Sequence, residues 1–570
     1  MYTASAAFIE ALNEAGVSFI FANLGSDHPG IVEALAEAKV TGRPAPKLIT
    51  CPNEMVALSA AHGYAQVTGR AQAVLVHVEC GTQALAGALH NAAKGRIPVL
   101  IFAGASPFTQ EGELRGSRNE FIHWIQDVFD QRGLARGYVK YDNEIRTGRN
   151  IKQMIHRALQ FARSDPKGPV YLMAARETLE EEVPPITVDP AFWPPLAPGA
   201  ISPSDIATLL EDLLAAARPL VVTSYLGRNP DAVHQLVHLC ERLAIGVLES
   251  VPSYVNYPTD SGLYQGNQWN EARQNRALAE ADFVLVIDSD VPWIQTVSRP
   301  RPDAVIYQID VDPLKEQMPL WQIPARRVFR ADAATALRQI NECLDTANID
   351  HQAVNLRRDH YTRLHEERDQ ELLHKEQPDG EIITPEYLTA CVRRHVDQNT
   401  IVLNEGITNY PTIINHLGAT RPGQMFASGG GSLGWHGGAA IGMKLACPDK
   451  TVICLTGDGS YMFSVPSSVH WIARRYQTPF LTVVYNNRGW KAPKSSTLAV
   501  HPDGYASKSD DIGVSFDPPP DYAGIAAASG GAFACIVRRT DELNDALVEG
   551  LNAVQRERRC AVLDVWLPHL

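Results

Sequence analysis

Two short polar motifs in the last third of the chain carry oxygen ligands for a metal ion. Gly457-Asp458-Gly459 follows the apolar run 451–456, and Asn486-Asn487 follows the apolar run 480–485, so 26 residues separate the two motifs. Apolar runs of this length are typical of buried strands, and the carboxyl ends of parallel strands meet at one edge of a sheet. A carboxylate, an amide oxygen and a backbone carbonyl are the hard donors that Mg²⁺ prefers. The motifs therefore predict a metal site at that edge.

The residues around Asp458 also suit a phosphate group. Glycines on both sides let backbone N–H groups approach an anion, and the helix predicted after Ser460 would turn its positive end toward it. A divalent cation together with N–H donors makes a diphosphate site. Each motif alone is more often an ordinary turn, and it is their pairing at two strand ends that favours a ligand site.

The elements that would position these motifs recur in three parts of the chain, 1–182, 204–345 and 382–570. Two segments separate the parts: 183–205, which contains seven prolines, and 356–381, which is highly charged and is expected to be an exposed helix ending in a turn. Each part alternates short apolar runs with amphipathic helical patterns. Apolar runs flanked by helices indicate parallel strands buried on both faces. The predicted fold class is α/β, with three open parallel-sheet domains.

Composition narrows the class of protein. The chain has 570 residues, with 51 Lys and Arg against 64 Asp and Glu, giving a net charge of −13, which argues against a nucleic-acid or membrane partner. Nine scattered cysteines without a CxxC pair argue against a disulfide framework or a structural zinc site. The N-terminus lacks the basic region of a signal peptide, and no apolar run is long enough for a membrane helix, so we expect a cytoplasmic protein.

The spacing of the two motifs resembles the thiamine diphosphate motif of the pyruvate decarboxylase and acetohydroxyacid synthase superfamily. This resemblance implies a pyrimidine-binding, a central nucleotide-fold and a diphosphate-binding domain. It also implies that Mg²⁺ is held by Asp458, Asn487 and the backbone of Gly489. The cofactor contacts that it implies are Glu54, Glu405, Gly431, Leu433, Gly457, Asp458, Gly459, Ser460, Asn487, Gly489 and Trp490.

Two further stretches resemble the same superfamily. Glu54 leads the helical stretch 52–70, where the family has a carboxyl group that promotes the imino tautomer of the cofactor's pyrimidine; the alternative is an ordinary glutamate at a helix N-terminus. Leu433 lies in the glycine-rich stretch 426–442, where the family places a bulky apolar residue under the cofactor; the alternative is a core leucine.

Polar loops after two predicted strands of the first part resemble the benzoylformate decarboxylase pattern. The loops are 23–28 and 77–83, and the resemblance implies that Ser26 and His77 face the substrate carboxylate and carbonyl as catalytic residues. The alternatives are a helix-capping serine and a core histidine.

Other features leave the reaction open. The paired histidines of pyruvate decarboxylases are missing, and Pro493 stands where those enzymes have an acid. Asn404-Glu405-Gly406 resembles the oxalyl-CoA decarboxylase and 2-hydroxyacyl-CoA lyase branch. We therefore expect an acetolactate-synthase-like 2-oxo acid decarboxylase and carboligase, with a 2-hydroxyacyl-CoA lyase that releases formyl-CoA as the alternative. A cofactor-binding regulatory paralogue without turnover is a further alternative, and the presence of Glu54 argues against it.

A nucleotide-binding dehydrogenase explains less. Gly429, Gly431 and Gly434 satisfy the GxGxxG pattern, but the next strand ends in the metal-type motif rather than in an acid for a ribose. The resemblance also implies a homo-oligomer, dimer or tetramer, that joins Glu54 of one subunit to the metal motif of another. It leaves open whether the central domain binds FAD or ADP, and whether the substrate is a small 2-oxo acid or an acyl-CoA.

Overall fold

The computed structural model describes residues 2–270, 273–509 and 511–570. Within these residues the strands form three sheets of six strands, and all strand pairs in them are parallel. Helices flank the sheets, as expected when the inner strands are buried on both faces and each crossover needs a helix. The predicted fold class is confirmed.

The first sheet has the order β2-β1-β3-β4-β6-β5. Its strands are β1 Phe19–Ala22, β2 Lys47–Thr50, β3 Gln72–Val76, β4 Val99–Ala105, β5 Asp142–Glu144 and β6 Val170–Ala175. The helices of this region are α1 Ala4–Glu14, α2 Pro29–Thr41, α3 Glu54–Thr68, α4 Val78–Ala84, α5 Ala86–Lys94, α6 Ile122–Ile125, α7 Gly133–Arg136, α8 Ile151–Arg163 and α9 Arg176–Leu179. Because β2, β1 and β3 are neighbours, the loops that follow them lie side by side at the carboxyl edge.

The central sheet has the order β12-β11-β10-β7-β8-β9. Its strands are β7 Pro219–Thr223, β8 Gly246–Ser250, β9 Tyr264–Gln268, β10 Phe283–Ile287, β11 Val305–Asp310 and β12 Arg327–Arg330. The helices are α10 Pro203–Ala215, α11 Pro230–Leu243, α12 Arg276–Glu280, α13 Ala333–Leu344 and α14 His351–Lys375.

The third sheet has the order β14-β13-β15-β16-β18-β17. Its strands are β13 Thr400–Glu405, β14 Met425–Phe426, β15 Thr451–Gly457, β16 Leu481–Asn486, β17 Phe533–Val537 and β18 Ala561–Trp566. The helices are α15 Pro385–Arg393, α16 Tyr410–Leu417, α17 Trp435–Ala446, α18 Asp458–Phe463, α19 Pro466–Tyr476, α20 Lys491–Val500, α21 Tyr522–Gly530 and α22 Thr540–Gln555.

The two connecting segments differ from each other. The proline-rich segment is irregular until α10 begins at Pro203. The charged segment forms a helix, as predicted, but the expectation that it is exposed is wrong for one face of α14. Tyr361 and Leu364 are buried in the core of the central domain, and the Tyr361 hydroxyl donates to the Pro219 carbonyl at 2.8 Å. A few apolar side chains at helical spacing are thus enough to anchor a highly charged helix.

Helices α3 and α17 connect the first and third sheets through close backbone contact. A Cβ atom on Gly63 would lie 2.3 Å from the Ala439 carbonyl oxygen, and one on Gly442 would lie 1.9 Å from the Ala60 carbonyl oxygen. These distances are shorter than any real Cβ contact, so the two backbones meet where there are no side chains. Apolar residues of both helices belong to one hydrophobic core. The relative position of the two sheets is therefore set by this helix pair.

The described part of the chain bears on two classes of protein, those that span a membrane and those built on disulfides. No helix in it combines the length and the apolar character that crossing a membrane requires. All nine cysteines are free thiols.

Replacing Gly442 by alanine should destabilise the protein, because the added methyl group must displace the backbone of α3. Overpacking of this kind typically costs about 1–3 kcal/mol, which thermal unfolding would register as a lower Tm. Gly137→Ala is the matched control, since Gly137 has φ −68° and no atom lies within 4 Å of an added Cβ. Equal melting temperatures for the two variants would contradict the close packing of α3 on α17.

Candidate active site

The carboxyl edge of the third sheet brings the two predicted motifs together. Strands β13, β15 and β16 are neighbours in the sheet, and Asp458 and Asn487 immediately follow β15 and β16. One carboxylate oxygen of Asp458 accepts the N–H of Gly459 at 2.8 Å, and the other accepts the N–H of Gly489 at 2.9 Å. The Gly-Asp-Gly motif and the loop after Asn487 therefore meet in direct contact.

Burial raises the pKa of Asp458 to about 6, while the backbone N–H groups of Gly459, Gly489 and Arg488 act in the opposite direction. Asp458 is 3% exposed, so its ionised carboxylate has a large desolvation cost without a positive partner. A carboxylate in this position is stabilised by a bound cation, which is the property that a metal ligand needs.

The two asparagines of the second motif have different surroundings. Asn486 is buried, and its amide donates to Asp564 at 2.8 Å while its oxygen accepts the N–H of Arg488 at 3.0 Å. Asn487 is partly exposed. Asn486 therefore shapes the loop, and Asn487 is the asparagine that can reach a ligand. Asp564, which the sequence did not single out, holds Asn486 from the neighbouring strand β18.

Residues around Asp458 complete a small polar corner. Ser460 is 1% exposed, and its hydroxyl oxygen has no hydrogen-bond partner in the described part of the chain. The ring of Trp490 covers Gly459, since a Cβ on this glycine would lie 2.1 Å from the ring. Gly457 ends β15 beside them. The sequence-predicted residues 457–460, 487, 489 and 490 are thus brought together.

Glu405 has protein partners. One carboxylate oxygen accepts the N–H of Trp435 at 3.0 Å, and the other accepts the N–H of His436 at 3.0 Å and pairs with its Nδ1 at 2.6 Å. The residue before this helix, Gly434, has no side chain to cap α17, so Glu405 supplies the cap from β13. The Glu405 carboxylate thus has protein partners on both oxygens, and its contact with a cofactor stays a prediction.

The carboxyl edge of the first sheet brings the other predicted residues together. Glu54 is the first residue of α3 and is partly buried, and its carboxylate accepts the side-chain N–H of Asn23 at 2.8 Å. A Cβ on Gly81 would lie 3.3 Å from the same carboxylate oxygen. The segments that follow β1 and β3 therefore meet at Glu54, and the segment after β3 is helix α4 rather than the polar loop predicted at 77–83.

Asp27, which the sequence did not single out, joins several residues at this edge. Its carboxylate pairs with His77 Nδ1 at 2.7 Å and with His28 Nδ1 at 3.0 Å, and it accepts the N–H of Val78 at 3.1 Å. Burial alone would favour the neutral acid, but the two histidines hold the pKa of Asp27 well below its usual range. The hydrogen bond to Asp27 in turn raises the pKa of His77. The His77 side chain is 24% exposed, and Gln126 is a further hydrogen-bonding neighbour of its ring.

Ser26 lies between this cluster and a second buried histidine. Its hydroxyl is 3.4 Å from His123 Nε2, and Arg176 Nη1 is 3.1 Å from the same nitrogen. Ser26 is therefore tied to the segment around α6, and it does not cap a helix in the way that the alternative interpretation proposed: α2 begins at Pro29, and the residue before it makes no capping bond through its side chain.

A cavity of about 520 Å³ lies between the three domains, beside the loop that contains Gly431 and Leu433. The first domain contributes His90 and Arg96 to its wall, and the central domain contributes Tyr225 and Tyr254. Its lining is mainly apolar, which is typical of small-molecule sites.

Three family models match the sequence in chain order. The N-terminal TPP binding domain of thiamine pyrophosphate enzymes matches residues 2–134, the central domain of these enzymes matches 206–340, and their C-terminal TPP binding domain matches 406–565. This chain belongs to the thiamine-pyrophosphate-dependent enzymes. Thiamine pyrophosphate is thiamine diphosphate under another name, so the resemblance found in the motifs is confirmed at the level of the superfamily.

Curated relatives cover most of this thiamine-pyrophosphate-dependent enzyme. The large subunit of acetolactate synthase isozyme 3 from Escherichia coli (strain K12) is 25% identical over 452 residues, covering 76% of this chain and 74% of its own. Sulfoacetaldehyde acetyltransferase from Castellaniella defragrans is 24% identical over 593 aligned positions, covering 99% of this chain and 93% of its own.

Solved structures share the fold over the whole chain. A thiamine diphosphate-dependent 4-hydroxybenzoylformate decarboxylase from Rhodococcus jostii RHA1 superposes with a TM-score of 0.77 at 21% identity, covering 100% of this chain and 99% of that one. Benzoylformate decarboxylase from Polynucleobacter necessarius superposes with a TM-score of 0.79 at 17% identity, with the same coverage of both chains.

The donor set at the third sheet fits the diphosphate end of the cofactor. The Ser460 hydroxyl is buried and has no partner in the described part of the chain, and it lies in the first turn of α18, which begins at Asp458. Asp458, Asn487 and the Gly489 carbonyl offer the oxygen ligands of a hard cation. The residues present therefore suit a metal-bound diphosphate.

Replacing Asp27 by asparagine should lower the pKa of His77, because the variant keeps the shape of the partner but removes its charge. A raised pKa stabilises the folded state below the unfolded pKa of histidine, and this contribution is lost as pH rises through the folded value, so the variant should lose stability on the acidic side. NMR titration of histidine-labelled protein measures the change, with His77→Gln to assign the signal. The exposed His501 serves as an internal control. An unaltered His77 titration would contradict the Asp27 pairing.

Proposed function

We propose that this enzyme uses thiamine diphosphate and Mg²⁺ to cleave the C–C bond beside the carbonyl of a 2-oxo acid, as a decarboxylase and carboligase of the acetolactate synthase type. The observation that carries the proposal is the partly exposed His77, held by Asp27 at the edge where Glu54 and Ser26 also lie. A histidine with a raised pKa, at the same sheet edge as a serine hydroxyl, suits a free carboxylate and its neighbouring carbonyl oxygen. The relative named acetolactate synthase supports the same chemistry.

The side chains would divide the work between the two sheet edges. When bound, thiamine diphosphate supplies the carbon nucleophile and then takes up the electrons of the bond that breaks. Asp458, Asn487 and the Gly489 carbonyl would hold Mg²⁺, and Ser460 would donate its free hydroxyl to the diphosphate. Glu54, oriented by Asn23, would share a proton with a pyrimidine nitrogen.

His77 would donate a proton to the substrate carbonyl oxygen or accept one from it. Its Nδ1 is fixed against Asp27 at 2.7 Å, so Nε2 is the nitrogen that can give or take a proton on the exposed side. Because the motif around Glu405 is used to cap α17, its likeness to the 2-hydroxyacyl-CoA lyase branch gives no support for a thioester substrate.

We also propose that the central domain acts without FAD or ADP. A network of mostly buried charges occupies part of the crevice over the carboxyl ends of its strands, where a nucleotide would bind, beside the cavity of about 520 Å³. Lys315 pairs with Asp310 at 2.5 Å and with Asp290 at 2.8 Å, and Arg96 of the first domain pairs with Asp290 at 2.7 Å. This network satisfies its own charges and joins the central domain to the first.

A homo-oligomer with the active site between two subunits completes the proposal. The segment 121–129 exposes Phe121 by 75% and Ile125 by 72%, while His123 of the same segment is buried near Ser26. A contiguous exposed apolar surface favours a protein interface. A second copy on this surface would cover the edge that carries Glu54 and His77, and would bring its own metal motif to that edge.

The reaction is tested by incubating the protein, loaded only with Mg²⁺ and thiamine diphosphate, with a panel of 2-oxo acids and 2-hydroxyacyl-CoA thioesters. The expected result is CO₂ from one or more 2-oxo acids, together with the absence of flavin absorbance in the active protein. Formyl-CoA from a thioester would support the lyase instead and overturn the free-acid proposal. Activity that depends on added FAD or ADP would overturn the proposed role of the central domain.

Glu54→Gln should bind thiamine diphosphate nearly as well as the wild type but lose most activity, because glutamine cannot share its proton with the pyrimidine. Asp458→Ala should lose Mg²⁺-dependent binding. Mixing the two inactive chains by co-expression then tests the interface, since a mixed dimer has one site with both residues intact. Random pairing should restore about one active site in four relative to the wild type. No recovery would place both residues of each site in one chain.

A further inference from the structure

The loop 428–433, here called the glycine loop, has little conformational preference of its own. It contains three consecutive glycines, Gly429 to Gly431, and lies outside the regular elements between β14 and α17. Glycine has the largest conformational freedom of any residue, so such a loop must be fixed by contacts from outside. Leu433, the residue that would lie under the cofactor, ends this loop.

Asn91 on α5 of the first domain fixes the loop at Ser432. Its side-chain amide donates to the Ser432 carbonyl at 2.8 Å, and its side-chain oxygen accepts the Ser432 N–H at 3.0 Å. One side chain thus satisfies both backbone groups of the residue before Leu433. Asn91 is 1% exposed, so both bonds are shielded from water.

His90 fixes the loop one residue earlier. The N–H of Gly431 donates to His90 Nε2 at 3.1 Å, which requires the neutral ring with its hydrogen on Nδ1. Burial, followed by the nearby charge of Lys94, lowers the pKa of His90, and so favours the neutral ring that can accept this bond.

The backbones of loop and helix also touch. A Cβ on Gly429 would lie 2.7 Å from the Gly95 Cα atom, and one on Gly430 would lie 2.8 Å from the Asn91 Cα atom. On its other side the loop runs into α17, whose N-terminus is held by Glu405. Leu433 is therefore fixed between a polar clasp from the first domain and a capped helix of the third.

We propose that Asn91 and His90 are positioning residues that hold the glycine loop in the conformation that presents Leu433 to the thiamine ring. The inference rests on the proposed function, since it assumes that the cofactor binds over Leu433. It assigns a role in cofactor binding to side chains that touch only the loop, and it makes the geometry of the third-domain site depend on a helix of the first domain.

Two probes separate positioning from general damage. Mg²⁺·pyrophosphate occupies only the diphosphate end, whereas Mg²⁺·thiamine diphosphate also needs the surface presented by Leu433. For Asn91→Ala we expect thiamine diphosphate affinity to fall about tenfold in calorimetry, the scale of one or two lost hydrogen bonds, with pyrophosphate affinity unchanged. Amide hydrogen exchange in 428–434 of the cofactor-free protein should also become faster.

Two further variants keep the test decisive. His90→Leu removes the acceptor for Gly431 at a partly exposed position, so it should fold even if Asn91→Ala does not, and it should show the same pattern more weakly. Asn341→Ala is the matched control, because Asn341 is 5% exposed and donates to the Gln235 carbonyl at 3.0 Å within the central domain. It should leave both affinities and the exchange of the loop unchanged.

The outcomes are distinguishable. Unchanged thiamine diphosphate affinity in Asn91→Ala and His90→Leu, or a parallel loss of both affinities, would overturn the positioning role while leaving the proposed function intact. Failure of the wild-type protein to bind thiamine diphosphate would overturn the proposed function, and this inference with it.

Discussion

The contact between α3 and α17 is the constraint on which the candidate site depends. Glycines remove the side chains where the two backbones meet, and the apolar residues around them form a single hydrophobic core that includes Val56 of α3 and Ile441 of α17. Burial of a shared core favours one relative placement of the first and third domains over all others. The central domain has a core of its own, centred on its sheet. The two domains that carry the predicted motifs thus share one core.

Three buried carboxylates near the site are stabilised in three different ways, and each way suits a different task. Asp458 accepts backbone N–H groups only and keeps a raised pKa, so it gains from a bound cation. Glu405 is fully engaged by a helix N-terminus and a histidine, which suits a structural role. Asp27 is paired with two histidines, and its charge raises the pKa of the partly exposed His77. The environment, more than the residue type, decides what each acid can do.

Sequence alone predicted the parts of the fold whose signal is local. The runs that form β15 and β16 were recognised because strands buried on both faces are composed mainly of apolar residues. The short strands β5 and β12 were missed, because Asp-Asn-Glu and Arg-Val-Phe-Arg have no apolar pattern and form strands only through their sheet neighbours. Extended structure at a sheet edge is decided by tertiary contacts rather than by propensity.

The same distinction holds for the site. Asp458 and Asn487 could be predicted, because a residue that follows a buried parallel strand must lie at the carboxyl edge. Asp27 and His77 are 50 residues apart in the sequence, and Asn91 and Ser432 are 341 apart. No local sequence pattern predicts either contact. For Glu405 the sequence predicted the correct edge but not the partner, since the direction of a side chain at a strand end depends on the helix that packs beside it.

Docking of the glycine loop on α5 occurs within one chain, whereas the proposed meeting of Glu54 with the metal motif occurs between two chains. If the glycine loop docked differently on α5, Leu433 would move relative to every group that a partner subunit would supply. The intrachain contact is therefore built from bonds that admit little movement: two opposed hydrogen bonds on Ser432 and direct backbone contact at Gly429. In the proposed dimer each subunit would fix its own half of the site, and association would join two halves that are already ordered. Binding then costs less conformational entropy than it would if the loop were ordered only when the subunits and the cofactor met.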